Sequence, residues 1–509
     1  MSGFNTISKG GGVFGNTTGG NASVQTQFGE LAVAQLTPSS QTIFVHGVKG
    51  IGVVTASNGS SAFVTGVLSN AVLQSGVSSE GYAEIAMRRG LKYRAGQGSL
   101  TRLTAIFGEP VVDTNQLVGC GNAESGFYFG YRGSNFGIFH KTDGQREVRR
   151  LTISTGVATT TSVTITLDGN PITVSVAGGG TVNQTSWEIS QKDYTKVGYG
   201  WFAEAHNGEV NFISMVAGPR TGSYSATGGT LVATFSRLIE GASSTESFVS
   251  QSQWNIDKFD GSGPSRMVLD TSLGNVYQIG FQYLGYGNTR FAIEDLRTGQ
   301  FQNCHMIEQT NHRLRPVLKD PHITGVWRVE NSGSVVGNYL TGTSGAIFTE
   351  GNVLRNIGPA FSTSTVKASI ANDVETYVMS IRADRIYDGR SSYGELDLSS
   401  LTSALTVVGN DRRRGIVRIY KNARITGPVN FTRIDSVRSC ASKDTSGTGL
   451  TLNNGILVAS YVIYTSTVAA IELTGDNYFL SAGETLSFTI ESSDNADEFA
   501  LALSWFEDQ

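Results

Sequence analysis

Residues 163–176 read VTITLDGNPITVSV, with aliphatic positions alternating with Thr, Ser and Pro on either side of Asp168-Gly169-Asn170. A period of two puts successive side chains on opposite faces of a strand. An Asp-Gly step between two such runs suits the positive φ values that a tight turn between twisted strands needs, so the stretch predicts an antiparallel hairpin. The same style extends in both directions. Upstream lie TIFVHGVKGIGVVTASNGSSAFVTGVL (42–68), MRRGLKYRAGQGSLTRLTAIF (87–107), FYFGYRGSNFGIFH (127–140) and EVRRLTIST (147–155). Downstream lie GEVNFISMVAG (208–218), GTLVATFSRL (229–238), NVYQIGFQYLGYG (275–287), ETYVMSIRADRIY (375–387), ETLSFTIES (484–492) and EFALALSW (498–505). β-Branched and aromatic residues suit a pleated, half-buried surface, and the 63 glycines of the 509-residue chain supply its turns. The expected fold is all-β: antiparallel β-sandwich or jelly-roll modules in tandem. No internal repeat is visible that would make a solenoid or propeller.

A single core does not grow to this length, so several domains are expected. Residues 1–38, rich in Gly, Asn, Thr and Ser, are expected to form an extended glycine-rich N-terminal arm. Residues 39–115 are expected to form a small β unit, 116–362 a central lectin-like sandwich, and 363–509 a jelly-roll-like C-terminal domain. In the last, Leu486, Phe488 and Ile490 share one strand face, as do Phe499, Leu501, Leu503 and Trp505.

Charged residues make up 16% of the chain and the net charge is −4, so no nucleic-acid partner is expected. Cys120, Cys304 and Cys440 are an odd number, far apart, and read as free, mostly buried thiols of a protein made in a reducing compartment. No apolar run reaches membrane-spanning length, and the first residues carry no export signal.

Few motifs invite chemistry. Gly10-x-Gly12-x-x-Gly15 matches a dinucleotide fingerprint in letters only, because no strand precedes it and no helix follows to hold a pyrophosphate. P-loop, HExxH and GxSxG signatures are absent. Cys304, His305, His312 and His322 fall in one stretch, but their spacing fits no zinc pattern. Glu294 and Asp295 are strand neighbours that point to opposite faces and cannot flank one glycosidic bond. Asp384, Asp388 and Glu395 are no better supported. The expectation is therefore no enzyme, no catalytic residue, no cofactor and no metal.

Two features suggest binding. Aromatic residues are dense between 127 and 286; most are expected in cores, with Trp201, Tyr283 and Tyr286 near glycine turns as candidates for contact with a glycan. Arg412, Arg413, Arg414, Arg418, Lys421 and Arg424 form the strongest basic cluster, expected to pair with carboxylates of another subunit. Phe4, Ile7, Val13 and Phe14 of the arm complete the expected interface residues, and Trp505 near the C-terminal end is expected either within the core of the C-terminal module or at its subunit contact.

The segments 91–107, 122–153 (NAESGFYFGYRGSNFGIFHKTDGQREVRRLTI), 163–176, 193–225 and 275–301, in that order, resemble a family of virion structural proteins. Such proteins occur in large DNA viruses of algae and other protists and in some aquatic tailed phages. The resemblance covers about 40 to 365. Residues 484–508 are similar in style to the end of jelly-roll or tumour-necrosis-factor-like modules on viral particles. The resemblance implies a capsid-associated, decoration or fibre-type protein, assembled in host cytoplasm, that binds other virion proteins and copies of itself, with a trimer favoured. A host-surface glycan-binding fibre head and a polysaccharide depolymerase are the alternatives.

Overall fold

The computed structural model describes residues 35–508 apart from 51, 92–96, 352–357, 407–412, 454, 466, 474, 476 and 477. The expected arm, with Phe4, Ile7, Val13 and Phe14, therefore lies outside the described residues, as does Arg412. The regular structure of the described chain is almost all β-strand, paired antiparallel, and its cores are built on the alternation visible in the sequence. At the opening hairpin, Thr161–Leu167 pairs with Asn170–Val176, and Asp168 and Gly169 form the two-residue loop with φ of 52° and 78°. Both φ values are positive, as the primed turn requires.

Two sheets face each other in the central sandwich. One runs Thr245–Ser250, Asn135–Thr142, Gly126–Arg132, Thr114–Gly121, Thr324–Asn331, Tyr82–Met87, Val53–Asn58. The other begins Phe301–Ile307, Thr289–Glu294, Asn275–Phe281, Ser99–Phe107. Beyond Ser99–Phe107 it divides, because Tyr339–Gly342 pairs along one half of that strand and Ser344–Glu350 along the other. Phe107, Phe129, Phe136, Tyr277, Trp254 and Trp327 fill the space between the sheets. Residues 39–115 are thus no separate unit. Tyr82–Met87 pairs with Thr324–Asn331, and Ser99–Phe107 with Asn275–Phe281, so strands from both sides of the expected boundary share both sheets.

A further module interrupts the sandwich. The chain leaves after Asn135–Thr142 and returns at the adjacent position with Thr245–Ser250. In between, a four-stranded sheet (Trp201–His206, Glu209–Ala217, Arg146–Thr155, Val232–Ile239) packs on a three-stranded one containing the opening hairpin. This inserted module also holds the α-helix Val182–Ser190, which Thr181 caps by accepting from the Gln184 N–H. Helix-weak Thr, Ser and Asn dominate it, and the burial of Trp187 and Ile189 supplies what propensity does not.

The C-terminal module takes its eight main strands from β1 (Ala360–Ile370), β2 (Thr376–Ala383), β3 (Glu395–Thr406), β4 (Arg414–Lys421), β5 (Ile456–Tyr464), β6 (Val468–Glu472), β7 (Thr485–Ser492) and β8 (Ala496–Asp508). β1 pairs with β8, β2 with β7, β3 with β6 and β4 with β5, the pairings of one long antiparallel ribbon. Rolling that ribbon brings β8 beside β3 and β7 beside β4, and closes sheets of order β1-β8-β3-β6 and β2-β7-β4-β5. This is a jelly roll. Phe488, Ile490, Phe499, Leu501, Leu503 and Trp505 form its core, on the faces the alternation predicts.

Candidate subunit interface

The alternation that buries half of β8 leaves the other half, Ala500, Ala502 and Ser504, facing outward. Pairing carries this pattern across the whole sheet. Ser364, Ala502, Thr402 and Ala470 stand in one row, Val366, Ala500, Ala404 and Val468 in the next, and Ser362, Ser504, Ser400 and Glu472 in a third. These rows contain no lysine or arginine. Carboxylates appear only towards the ends, at Asp397, Glu472 and Glu498. The module's opposite sheet is different in kind: there Arg418 Nη1 lies 2.7 Å from Glu491 and 3.5 Å from Glu375. Small uncharged side chains let a second surface approach closely, and covering them strands no buried charge.

Next to this face are two strands that end their sheets. Among the described residues β6 pairs only with β3, and β5 only with β4. Leu457, Val462 and Tyr464 on β5 are exposed, and Val468 on β6 is 70% exposed. An open edge with apolar side chains is a template for another chain, and natural proteins usually blunt it with charge.

The residues expected to mediate contacts are placed differently. Of its two expected places Trp505 takes the core of the jelly roll, stacked on Phe361 at 6.2 Å and donating its indole N–H to Glu507 Oε1 at 2.8 Å, rather than a subunit contact. The basic cluster is already matched within the chain: Arg413 pairs with Asp494, Lys421 with Glu484 at 3.1 Å and Arg424 with Glu188 at 2.7 Å. Arg414 is exposed at the start of β4. Trp201, expected near a glycan, is 1% exposed, because Asp168 of the hairpin turn accepts its indole N–H at 3.0 Å inside the inserted module. Tyr283 is half-buried and donates to the Leu318 carbonyl at 2.9 Å, while Tyr286 is exposed.

Neither the histidine cluster nor the carboxylate pair assembles. Cys304 is buried and its thiol meets the Phe291 carbonyl, His322 pairs with Asp320, and His312 is exposed. Asp295 accepts three hydrogen bonds from Arg297, main chain and side chain, and so holds its own turn. All three cysteines are free and buried, and burial pushes the Cys120 thiol up to about 12, far from thiolate reactivity. Among the described residues one trio of possible metal ligands converges: Glu204, His206 and Asp384, where the inserted module meets the jelly roll. Its oxygens are engaged. Arg382 Nε donates to Asp384 Oδ1 at 3.0 Å, Arg433 lies 3.8 Å from Oδ2, and Glu204 accepts from the Arg385 main-chain N–H at 3.0 Å. With Arg382, Arg385 and Arg433 already there, a further cation would meet more repulsion than attraction. The trio is part of a network that joins two modules.

No helix among the described residues is long and apolar enough to cross a membrane. No family model matches the chain, and neither does any curated protein. Among solved structures, similarity is found to the atomic structure of Sulfolobus Turreted Icosahedral Virus, at 6% identity over 93% of this chain and 97% of that one, with a TM-score of 0.14. A structure described as the triple jelly roll fold and turret assembly in an archaeal virus matches at 7% identity over 92% and 90%, TM-score 0.15. One of T=1 particles derived from Infectious Bursal Virus matches at 8% identity over 82% and 80%, TM-score 0.11. Likeness at these scores carries no argument; the jelly-roll assignment rests on strand order alone.

Proposed function

We propose that this chain is a structural protein of a virus particle, working by binding copies of itself and other virion proteins rather than by turnover. The observation that carries the self-association is the outer face of β1-β8-β3-β6, uncharged in its two central rows, beside the apolar edges of β5 and β6. One copy's edge covers another's face. Used head to tail, such a contact closes as a ring when its rotation divides the full circle, and three copies is the number we favour. The virion setting rests on the sequence resemblance, with which a jelly roll agrees. Assembly in host cytoplasm goes with the three buried free thiols.

A cysteine trap tests the contact. Because the native thiols are buried, Ala502→Cys combined with Val462→Cys introduces the reactive pair without background. Mild oxidation is expected to link copies into a ladder ending at a closed ring. A product that stays monomeric, with both new thiols still titratable, contradicts the contact.

A further inference from the structure

Among the described residues, the sandwich is open on the side where its two sheets end in Thr245–Ser250 and Phe301–Ile307. Between these edge strands lies a recess of about 280 Å³. Ile138, Val249, Met306 and Ile307 give it apolar walls, and His140, His305, Arg313, Ser247 and Glu308 bring polar atoms to it.

The polar groups are held in defined states. His140 is buried, stacked on Phe127 with centroids 4.7 Å apart, and its Nε2 lies 2.9 Å from the Val317 carbonyl. A carbonyl only accepts, so Nε2 carries the proton and Nδ1 keeps its lone pair. Arg313 Nη2 donates to that lone pair at 3.1 Å. His305 Nδ1 accepts the Asn255 main-chain N–H at 3.2 Å, which leaves its Nε2–H as a donor. Burial pushes the pKa of both imidazoles down, that of His140 to about 4, so both rings are neutral at pH 7.

Arg313 is half-buried, and among the described residues no carboxylate lies within ion-pair distance of it. His140 takes one of its five N–H donors. The Ser247 hydroxyl, exposed on the edge strand, also has no partner among the described residues. Glu308, at the same recess, disfavours a doubly charged anion and offers an acceptor for hydroxyl groups. A planar monoanion fits the guanidinium fork, and a ring with C–H faces fits the apolar walls.

We infer that this recess binds an acidic monosaccharide unit, its carboxylate on Arg313 and His305, its hydroxyls towards Glu308 and Ser247, and its ring against Val249, Met306 and Ile307. The site is independent of the self-association proposed above and lies on a different module.

Titration calorimetry on the full chain tests the inference, with glucuronate as probe, glucose as neutral control and sulfate as plain anion. Glucuronate is expected to bind, glucose to show no heat, and sulfate to bind more weakly. Arg313→Ala is expected to weaken glucuronate about tenfold or more, the loss typical of a charge-assisted hydrogen bond. Ser247→Trp, at an exposed edge position, puts a large ring into the recess while leaving the Arg313 guanidinium in the chain, and is expected to abolish binding with unchanged melting. The inference is overturned if glucuronate does not bind, if sulfate or glucose binds as well as glucuronate, or if both variants bind like the parent protein.

Discussion

Trp187 of the inserted helix donates its indole N–H to the Ile425 carbonyl of the jelly roll at 2.9 Å, linking residues 238 positions apart. Ala205, Tyr377, Ile425, Val429 and Phe431 complete the apolar cluster around it. The inserted module is therefore fastened to the jelly roll through side chains contributed by both. Trp187→Ala is expected to cost about 3–5 kcal/mol, the range for deleting a large buried aromatic. Trp187→Phe keeps most of the area and leaves the Ile425 carbonyl unpaired, so about 1–3 kcal/mol is expected. Urea unfolding followed at both modules checks this; a loss confined to the inserted module would contradict the shared role.

The charged half of that junction has its own signature. Asp384 is buried against Arg382, Arg433 and Ser442. Asp384→Asn is expected to destabilise by about 3–5 kcal/mol, since it leaves buried guanidinium groups uncompensated. Added divalent metal is expected to leave the parent protein's melting temperature unchanged. A metal-dependent rise that Asp384→Asn removes would instead make the trio a metal site.

The hairpin and the jelly-roll core were legible in the sequence because their signals are local. Asp168-Gly169 needs only its own φ values, and Phe499 to Trp505 need only alternation. What failed depended on distant partners. Nothing near Phe107 announces that its strand pairs with Asn275–Phe281, and nothing near Thr142 announces that about a hundred residues intervene before its sheet neighbour arrives. The glycines beside Trp201 make it a candidate for glycan contact, yet Asp168, 33 positions earlier, satisfies its indole inside a core. The arginine cluster read as unpaired because Asp494, Glu491 and Glu188 lie far along the chain. The outward rows of the candidate interface were half legible. Ala500, Ala502 and Ser504 are the unread alternate positions of the run that gave the core.

Acid stability should report His140. Its pKa in the folded protein is about 4 against 6.5 for the free side chain, mainly through burial. The unfolded chain binds the extra proton between those values, so this group's contribution is complete above about pH 6.5 and is lost as pH falls towards 4. From pH 7 to 5 the loss is about 2 kcal/mol. His140→Gln, which keeps a donor and an acceptor but does not titrate there, is expected to show a correspondingly shallower decline in urea midpoints. Equal slopes would contradict the neutral, buried ring.

Alanine at Glu294, Asp295, Asp384 or His305 is expected to change stability, assembly or ligand binding and to remove no turnover. Asp295→Ala loses the acceptor for Arg297 and is expected to lower the melting temperature without touching any turnover. A reducing-end assay on acidic and neutral polysaccharides checks the non-enzymatic reading. Oligosaccharide release abolished by any of these substitutions would overturn it.

We place the contact between copies on the outer face of β1-β8-β3-β6, whose central rows carry no charge, and the mass in solution reads that contact. Light scattering on the purified chain is expected to give a closed homo-oligomer, with three copies as the favoured ring. Ala502→Arg puts one cation in the middle of the face, at an exposed position that leaves the core untouched. It is expected to give a monomer with unchanged circular dichroism and melting temperature. A parent protein that is monomeric at all concentrations, or an Ala502→Arg variant that assembles like the parent, would contradict the account.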